Sequence, residues 1–286
     1  MIYISSSCVK KNKIADIITL FAENGIQNIE LSGGTDYYGE LEEDLKQLKE
    51  KYRLQYACHA YFPPPEIPFV VNLASCNDRI YRQSIEHYEN CIRMLKRLEC
   101  SVLSIHAGFL IEIGVGEIGQ KLNAATVYDE SKAYDRFCSA YRHLEKLCME
   151  RHIAFFLENN VLSAENYLEF GRQNYMMMTD YKSIMKMKGQ LEFDLLLDLG
   201  HLHVSAETLR LDYRKECDGL KEHAKWLHVS DNNGIFDEHK PLKKGSAILE
   251  QFYKMYHYGL NATLETAGEM EDILSGMRLL NRAGGD

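Results

Sequence analysis

The sequence predicts an α/β chain folded as a single closed (β/α)8 barrel spanning residues 1–286. Three observations predict it. Short apolar, β-branched or aromatic runs recur eight times, near 1–5, 27–31, 54–59, 101–106, 153–158, 193–198, 225–230 and 261–265. Longer stretches, many with helical spacing, separate them, and strands alternating with helices make a parallel sheet with crossover helices. No low-complexity linker or shift of composition divides the chain, so one unit holds all eight repeats. The rival architecture, an open doubly wound sheet, has fewer strands and a glycine-rich first turn. Here the first turn reads Ser5-Ser6-Ser7-Cys8, with no glycine fingerprint and no sign of a nucleotide cofactor.

The elements follow in order. After the first run, Ile14, Ile17, Ile18 and Phe21 mark one helix face; after the second, Leu41, Leu45 and Leu48 mark another. The third run leads into Tyr61–Pro68, which holds four of the five prolines and cannot start a helix; it predicts a stiff, extended rim loop. Ile85, Tyr88, Ile92 and Leu95 then repeat the helical spacing. The fourth run opens into a glycine-rich stretch from Phe109 to Thr126, followed by the face Tyr134, Phe137, Tyr141, Leu144 and Leu147. Asn232–Gly245 follows the seventh run as a long loop, and Gly33-Gly34 with Tyr37-Tyr38 sit in the loop after the second. Leu249, Phe252 and Tyr256, then Ile273, Met277 and Leu280, complete the pattern. In a barrel the loops after the strands share the C-terminal face, where substrates bind.

Composition sets bounds. Apolar content of 45% is ordinary for a globular protein, no apolar stretch reaches membrane-spanning length, and no basic-plus-apolar leader opens the chain. The chain is read as soluble, not exported and cytoplasmic. Eight cysteines without a C-x-x-C pair read as buried free thiols. A net charge of −9 argues against a broad nucleic-acid surface, while leaving room for a local basic groove.

Almost every apolar run stops on a residue able to bind a metal. The third ends on His59, the fourth on His106, the fifth on Glu158 and the sixth on Asp198, with His201 one turn further. The seventh carries His228 and the eighth ends on Glu265; the loop after the seventh adds Asp237 and His239, a D-x-H pair. Parallel strands converge at one mouth, and several carboxylates there repel one another unless a cation offsets them. Mixed oxygen and imidazole donors suit Zn²⁺, Mn²⁺, Co²⁺ or Fe²⁺ better than Ca²⁺. His87, His143, His152, His223 and His257 fall within or beside helical stretches and read as surface or cap residues. Glu30, ending the second run, is compatible with the mouth or with an ordinary salt bridge, and His203 with the rim or its helix. Lys10-Lys11 and Lys243-Lys244 read as solvated surface.

The ordered set resembles the xylose isomerase-like TIM-barrel superfamily: sugar isomerases, ketose 3-epimerases, inosose dehydratases and endonuclease IV. The resemblance covers nearly the whole chain. It rests on His59 with Asn72-Leu73-Ala74-Ser75, on Ser104-Ile105-His106-Ala107-Gly108, on Leu157-Glu158-Asn159, on Asp198-Leu199-Gly200-His201, and on His228-Val229-Ser230-Asp231-Asn232-Asn233-Gly234 followed by Asp237-Glu238-His239 and Gly245. It implies a divalent metal (Zn, Mn, Co or Mg) held by Glu158, Asp198, His228 and Glu265. In the epimerases the metal polarises a carbonyl, Glu158 and Glu265 move a proton on opposite faces of the carbon skeleton, and an enediolate is stabilised between them. His59, His106 and His201 would then bind a sugar or sugar phosphate.

Endonuclease IV supplies the alternative that the resemblance keeps open. Its nine zinc-ligand types match His59, His106 and Glu158; Asp198, His228 and Glu265; and His201, Asp237 and His239. That match implies a metal-dependent phosphodiesterase acting on abasic DNA. A dehydratase on the same scaffold is a third reading. Two features favour sugar chemistry: the Asp231-Asn232-Asn233-Gly234 segment is closer to the isomerase and epimerase branch, and Tyr61–Asn72 and Phe109–Gln120 contain no Lys or Arg to contact DNA phosphates. One departure qualifies it. Ketose 3-epimerases carry an Arg a few residues after the seventh-strand His, and His228 to Asp237 contains none. The substrate is therefore not expected to be a plain ketohexose held in that way. Relatives are often dimers or tetramers, so a homo-oligomer is compatible with the resemblance.

Overall fold

The computed structural model describes residues 1–117, 121–122, 126–256 and 260–282. In chain order the elements are β1 (Ile2–Ser5), α1 (Ile14–Glu23), β2 (Asn28–Leu31), α2 (Leu41–Tyr52), β3 (Gln55–Cys58), α3 (Asp78–Arg97), β4 (Val102–His106), α4 (Glu130–Met149), β5 (Ala154–Glu158), α5 (Ala164–Glu169), α6 (Tyr181–Lys188), β6 (Asp194–Asp198), α7 (Leu199–Leu209), α8 (Tyr213–Leu220), β7 (Ala224–Val229), α9 (Ala247–Tyr256), β8 (Asn261–Leu264) and α10 (Met270–Asn281). All strands pair in parallel with their sequence neighbours, and β8 closes on β1. The expected barrel is present.

Two connections are richer than the helical spacing suggested. The chain forms α5 and α6 between β5 and β6, and α7 and α8 between β6 and β7. Short polar caps rather than long apolar stripes start these helices: the side chains of Ser163, Asp180, Asp198 and Asp212 accept from backbone N–H groups of the first turn. The longer helices bury the faces expected of them, with Ile14, Ile17, Ile18 and Phe21 of α1 and Phe137, Tyr141 and Leu144 of α4 all withdrawn from solvent. They cover the outside of the barrel. No helix among the described residues is long and apolar enough to cross a membrane. The eight cysteines are free; seven are buried and Cys76 is half-buried.

The barrel interior explains how the mouth is built. Side chains alternate between the two faces of a strand, so positions two apart share a face. Tyr3, Ala57, Phe156 and Trp226, from β1, β3, β5 and β7, pack together with Leu196 as the apolar floor. The Trp226 ring lies 5.0 Å from Tyr3 and 5.7 Å from Phe156. Two residues further along the same strands, on the same inward face, come Ser5, His59, Glu158 and His228. The even strands do the same one step out of phase, with Glu30, Ser104, Leu196 and Thr263 below Ser32, His106, Asp198 and Glu265. Layers of four from alternate strands are the packing rule of this architecture. Here the lower layers are apolar or hydrogen-bonded, and the upper two carry the candidate site residues.

Candidate active site

The sequence-predicted residues meet at the mouth. Donor atoms of Glu158, Asp198 and His228 all lie within 4.8 Å of one another, as do those of His59, His106 and Glu158. Glu265 joins through His228, whose Nδ1 is 3.2 Å from Glu265 Oε2 and 3.4 Å from Glu158 Oε1. His201 Nε2 lies 3.2 Å from Asp237 Oδ2, and the same oxygen is 3.1 Å from His239 Nε2. The nine positions thus form one continuous cluster.

Three imidazoles are each tied down by one nitrogen and aimed inward by the other. His59 Nδ1 pairs with Ser104 Oγ at 2.8 Å, which leaves Nε2 near Glu158 Oε2 at 3.2 Å. His201 Nδ1 donates to the Asn159 carbonyl at 2.9 Å, which leaves Nε2 to the mouth. His228 Nε2 donates to Glu30 Oε2 at 3.2 Å, with Oε1 at 3.0 Å, which leaves Nδ1 between Glu158 and Glu265. Glu30 itself accepts from Thr263 Oγ1 at 2.9 Å, and that hydroxyl accepts from Trp226 Nε1 at 2.9 Å. A carboxylate behind an imidazole fixes its tautomer and makes it a better ligand.

The carboxylates are oriented in the same manner. Asp198 caps α7: its Oδ1 accepts from His201 N at 2.7 Å, so Oδ2 is left facing inward. Asn159 clamps β5 to β6, donating from Nδ2 to the Asp198 carbonyl at 3.1 Å and accepting from Asp198 N at 2.8 Å. That clamp sets Glu158 beside Asp198. Both oxygens of Glu158, Oδ2 of Asp198 and Nδ1 of His228 are buried with no well-formed hydrogen bond. Leaving such atoms unsatisfied in a protein interior is expensive, and a divalent cation held by one donor atom each from Glu158, Asp198 and His228 would relieve that cost. The donor set fits a metal.

Electrostatics agree with that reading. Burial pushes the Glu158 carboxyl up, but the imidazoles of His106, His59 and His228 outweigh it and hold it well below the usual carboxylate range. Glu265 is likewise raised by burial and brought down to about 2, chiefly by His228. Asp198 keeps less support: burial raises it, His201 offsets a part, and Glu158, Asp237 and Glu265 push it to about 7. Burial lowers His228 and His201, yet their carboxylate neighbours raise both well above the usual imidazole range. His106 is lowered by burial to about 4 and His59 is lowered for the same reason, so both are neutral near pH 7. Protons on His201, His228 and Asp198 offset charge where a cation would otherwise do so.

Other sequence readings find their places. Glu30, which the sequence left between mouth and salt bridge, is buried against His228 Nε2, and its donor atom lies within 4.8 Å of those of His59 and His228. Its strand alternation, two residues before Ser32 on an inward face, was the signal that could have found it. Ser104 and Thr263, two before His106 and Glu265, were missed and could have been found in the same way. His203 faces the loop after β7, pairing with Asn232 Oδ1 at 2.7 Å. His143 pairs with Glu89 at 2.6 Å, His87 is buried in α3 rather than on the surface or at a cap as its helical position suggested, and His257 lies outside the described residues. Asn72 holds the two rim loops together, donating to the Phe109 carbonyl at 2.9 Å and accepting from Ala74 N at 2.9 Å. Above the cluster opens a cavity of about 710 Å³, lined by His59, His106, His201, Asp237, His239 and Glu265 among others.

Comparison with known proteins places this geometry. A family model described as xylose isomerase-like TIM barrel matches residues 18–282. An uncharacterised protein of Methanocaldococcus jannaschii is 23% identical over 208 residues, covering 73% of this chain and 68% of that protein. A crystal structure of a D-tagatose 3-epimerase-like protein superposes with a TM-score of 0.73 at 17% identity, covering 99% of this chain and 96% of that one. Endonuclease IV of Thermus thermophilus superposes with a TM-score of 0.61 at 15% identity, covering 99% of this chain and 98% of that one. At such identities the two solved structures share the fold.

Proposed function

The chain belongs to the xylose isomerase-like TIM-barrel family, and from that premise we propose that it is a divalent-metal-dependent isomerase or epimerase of a sugar or sugar phosphate. The observation that carries the reading is the set of buried, unsatisfied donor atoms on Glu158, Asp198 and His228, with Glu265 on the same imidazole nitrogen. These four residues would hold the ion. When bound, it supplies Lewis acidity at a substrate carbonyl and neutralises the surrounding carboxylates.

The protein's own groups supply the rest. Glu158 and Glu265 approach His228 Nδ1 from separate strands, so they can face a bound carbon skeleton from two sides. One removes the proton beside the carbonyl and the other returns a proton to the opposite face. Their depressed carboxyl pKa values keep both ionised near neutral pH, ready to accept. His59 and His106, neutral and facing the cavity, can hydrogen-bond sugar hydroxyls. His201, fixed through Asn159, can donate to a substrate oxygen. The apolar floor of Tyr3, Phe156 and Trp226 closes the barrel below and keeps water from entering beneath.

The test is proton exchange. Metal-loaded protein incubated with a panel of ketoses in D₂O should place deuterium on the carbon next to the carbonyl, read by NMR. Glu158→Gln and Glu265→Gln should each reduce the exchange by several orders of magnitude. Turnover of a sugar without any solvent deuterium in the product would count against proton transfer through these carboxylates.

A second reading has its own support. His59, His106 and Glu158 form a further ligand-like group, and Asp237 Oδ2 gathers His201 and His239 on one carboxylate oxygen. Together they could take two more ions, as an endonuclease IV-like phosphodiesterase would require. Mass spectrometry of the native protein separates the two: three tightly held zinc ions per chain favour the phosphodiesterase, and one ion favours the sugar reaction.

A further inference from the structure

The cavity above the donor cluster has two unlike ends. One part of its lining is polar, formed by His59, His106, His201, Ser7 and Ser32. The other is apolar, formed by Val70, Phe109, Ile113, Leu122 and Met176. These apolar residues do not belong to the barrel core. They make a separate cluster with Ile111 and Phe170, contributed by the loops after β3, β4 and β5. The wall is pinned by its backbone: Leu110 N donates to the Tyr175 carbonyl at 2.8 Å, Met177 N to the Gly108 carbonyl at 3.1 Å, and Phe109 bridges Met176. A cluster that served only to stabilise the loops would face away from the cavity. Five of its members line it instead.

Charge is the second observation. Among the described residues the only Lys or Arg lining the cavity is Lys121, whose side chain is half exposed and ion-paired with Glu169 at 3.1 Å. Residues 118–120, 123–125, 257–259 and 283–286 contain no Lys or Arg in the sequence. A phosphate monoester carries close to two negative charges at pH 7 and is recognised by Arg, Lys or clustered N–H groups. Here the imidazoles of His201 and His239 are both already paired with Asp237, at 3.2 and 3.1 Å, and Glu165 and Glu265 line the same cavity. A bare polyol fits less well against Val70, Phe109 and Ile113 themselves, where hydroxyls would lose their water to apolar side chains, while the polar groups at that end are Asn72 and Asn166, bonded to the Phe109 carbonyl and to Leu122 N.

We propose that the substrate is an uncharged sugar carrying an apolar substituent, its polyol part on the imidazole end and its apolar arm on the wall of Val70, Phe109, Ile113, Leu122 and Met176. This inference rests on the sugar reading above and narrows it. The arm lies on the part of the sugar remote from the reacting carbons, since Glu158 and Glu265 belong to the polar end. It supplies binding energy where the polar end supplies orientation.

Calorimetry on metal-loaded protein tests it. The probes are D-fructose and D-tagatose, their 6-O-methyl, 6-O-butyl and 6-O-hexyl ethers, and their 6-phosphates, with deuterium exchange followed on the same samples. Affinity is expected to rise along the ether series, by at most about fourfold per buried methylene. The phosphates are expected to bind more weakly than the parent sugars. The Ile113→Ser/Met176→Ser variant should flatten the series. Affinity independent of chain length, a length dependence untouched by that variant, or tightest binding by a phosphate would each overturn the inference. A flat series with binding and exchange intact sinks it alone; no binding and no exchange by any probe sinks the sugar reading with it.

Discussion

Glu30 shows what a single residue contributes without touching substrate. Its carboxylate receives Thr263 Oγ1 at 2.9 Å and faces His228 Nε2 with both oxygens. It therefore fixes which nitrogen of His228 is free for the mouth. Glu30→Gln keeps the shape and removes the charge. Metal affinity should fall by about 10- to 100-fold, the usual effect of losing such a partner. Titration with Mn²⁺ followed by electron paramagnetic resonance measures it; unchanged affinity would deny Glu30 a part in positioning the ligand. His87, on α3 and outside the donor cluster, offers a different test. Burial in α3 lowers its pKa to about 4, and its Nε2 has no hydrogen bond. The unfolded chain takes up this proton near pH 6.5, before the folded chain does, so the stabilisation is full above about pH 6.5 and is lost as pH falls towards 4. The loss at the acid end is about 3 kcal/mol. His87→Phe should flatten that limb of a denaturation series, and an unaltered limb would rule out His87 as its source.

At the scale of elements, the strands were legible and much of what joins them was not. Each predicted run matches an observed strand within a residue or two, because both faces of a parallel barrel strand are buried and the run is mostly apolar. The strand ends that meet at the mouth were legible for the same reason: a carboxylate or imidazole closing an apolar run stands out. The helices α5 to α8 were not: α5, α6 and α8 span only 6, 8 and 8 residues, and all four begin on polar caps rather than on apolar stripes. Nor was Asn159 legible as a clamp, because its partners sit on the next strand. The rim loops pack by close approach, which no local pattern encodes. A Cβ on Gly108 would lie 2.6 Å from Ala74 Cβ and 3.2 Å from Asn72 Oδ1, where the loops after β3 and β4 meet. Gly108→Ala should therefore cost about 1–3 kcal/mol. Gly39→Ala, with nothing within 4 Å, should be close to neutral. Urea denaturation compares the two, and equal effects would contradict the tight loop junction.

At the scale of the whole molecule, the barrel gathers negative charge at one end and offsets it with protons. Asp198 sits near 7 because burial and its acidic neighbours raise it, and His201 and His228 are held protonated by carboxylates despite burial. A cation entering the cluster must displace those protons. Metal binding should accordingly release protons and strengthen with rising pH, by about tenfold per pH unit for each proton released. A pH indicator in weakly buffered solution reads the release; affinity that does not vary between pH 6 and 8 would contradict it. Binding to the folded chain alone also raises stability, by about 2.7 kcal/mol at a metal concentration a hundred times the Kd. A melting temperature that climbs by several degrees with Mn²⁺ and falls back with chelator is the expected sign.

Anomalous diffraction from Mn²⁺-loaded crystals tests the central claim most directly. One peak is predicted at the barrel mouth, contacted by Glu158, Asp198, His228 and Glu265 together. A peak elsewhere, or none at the mouth, would contradict it.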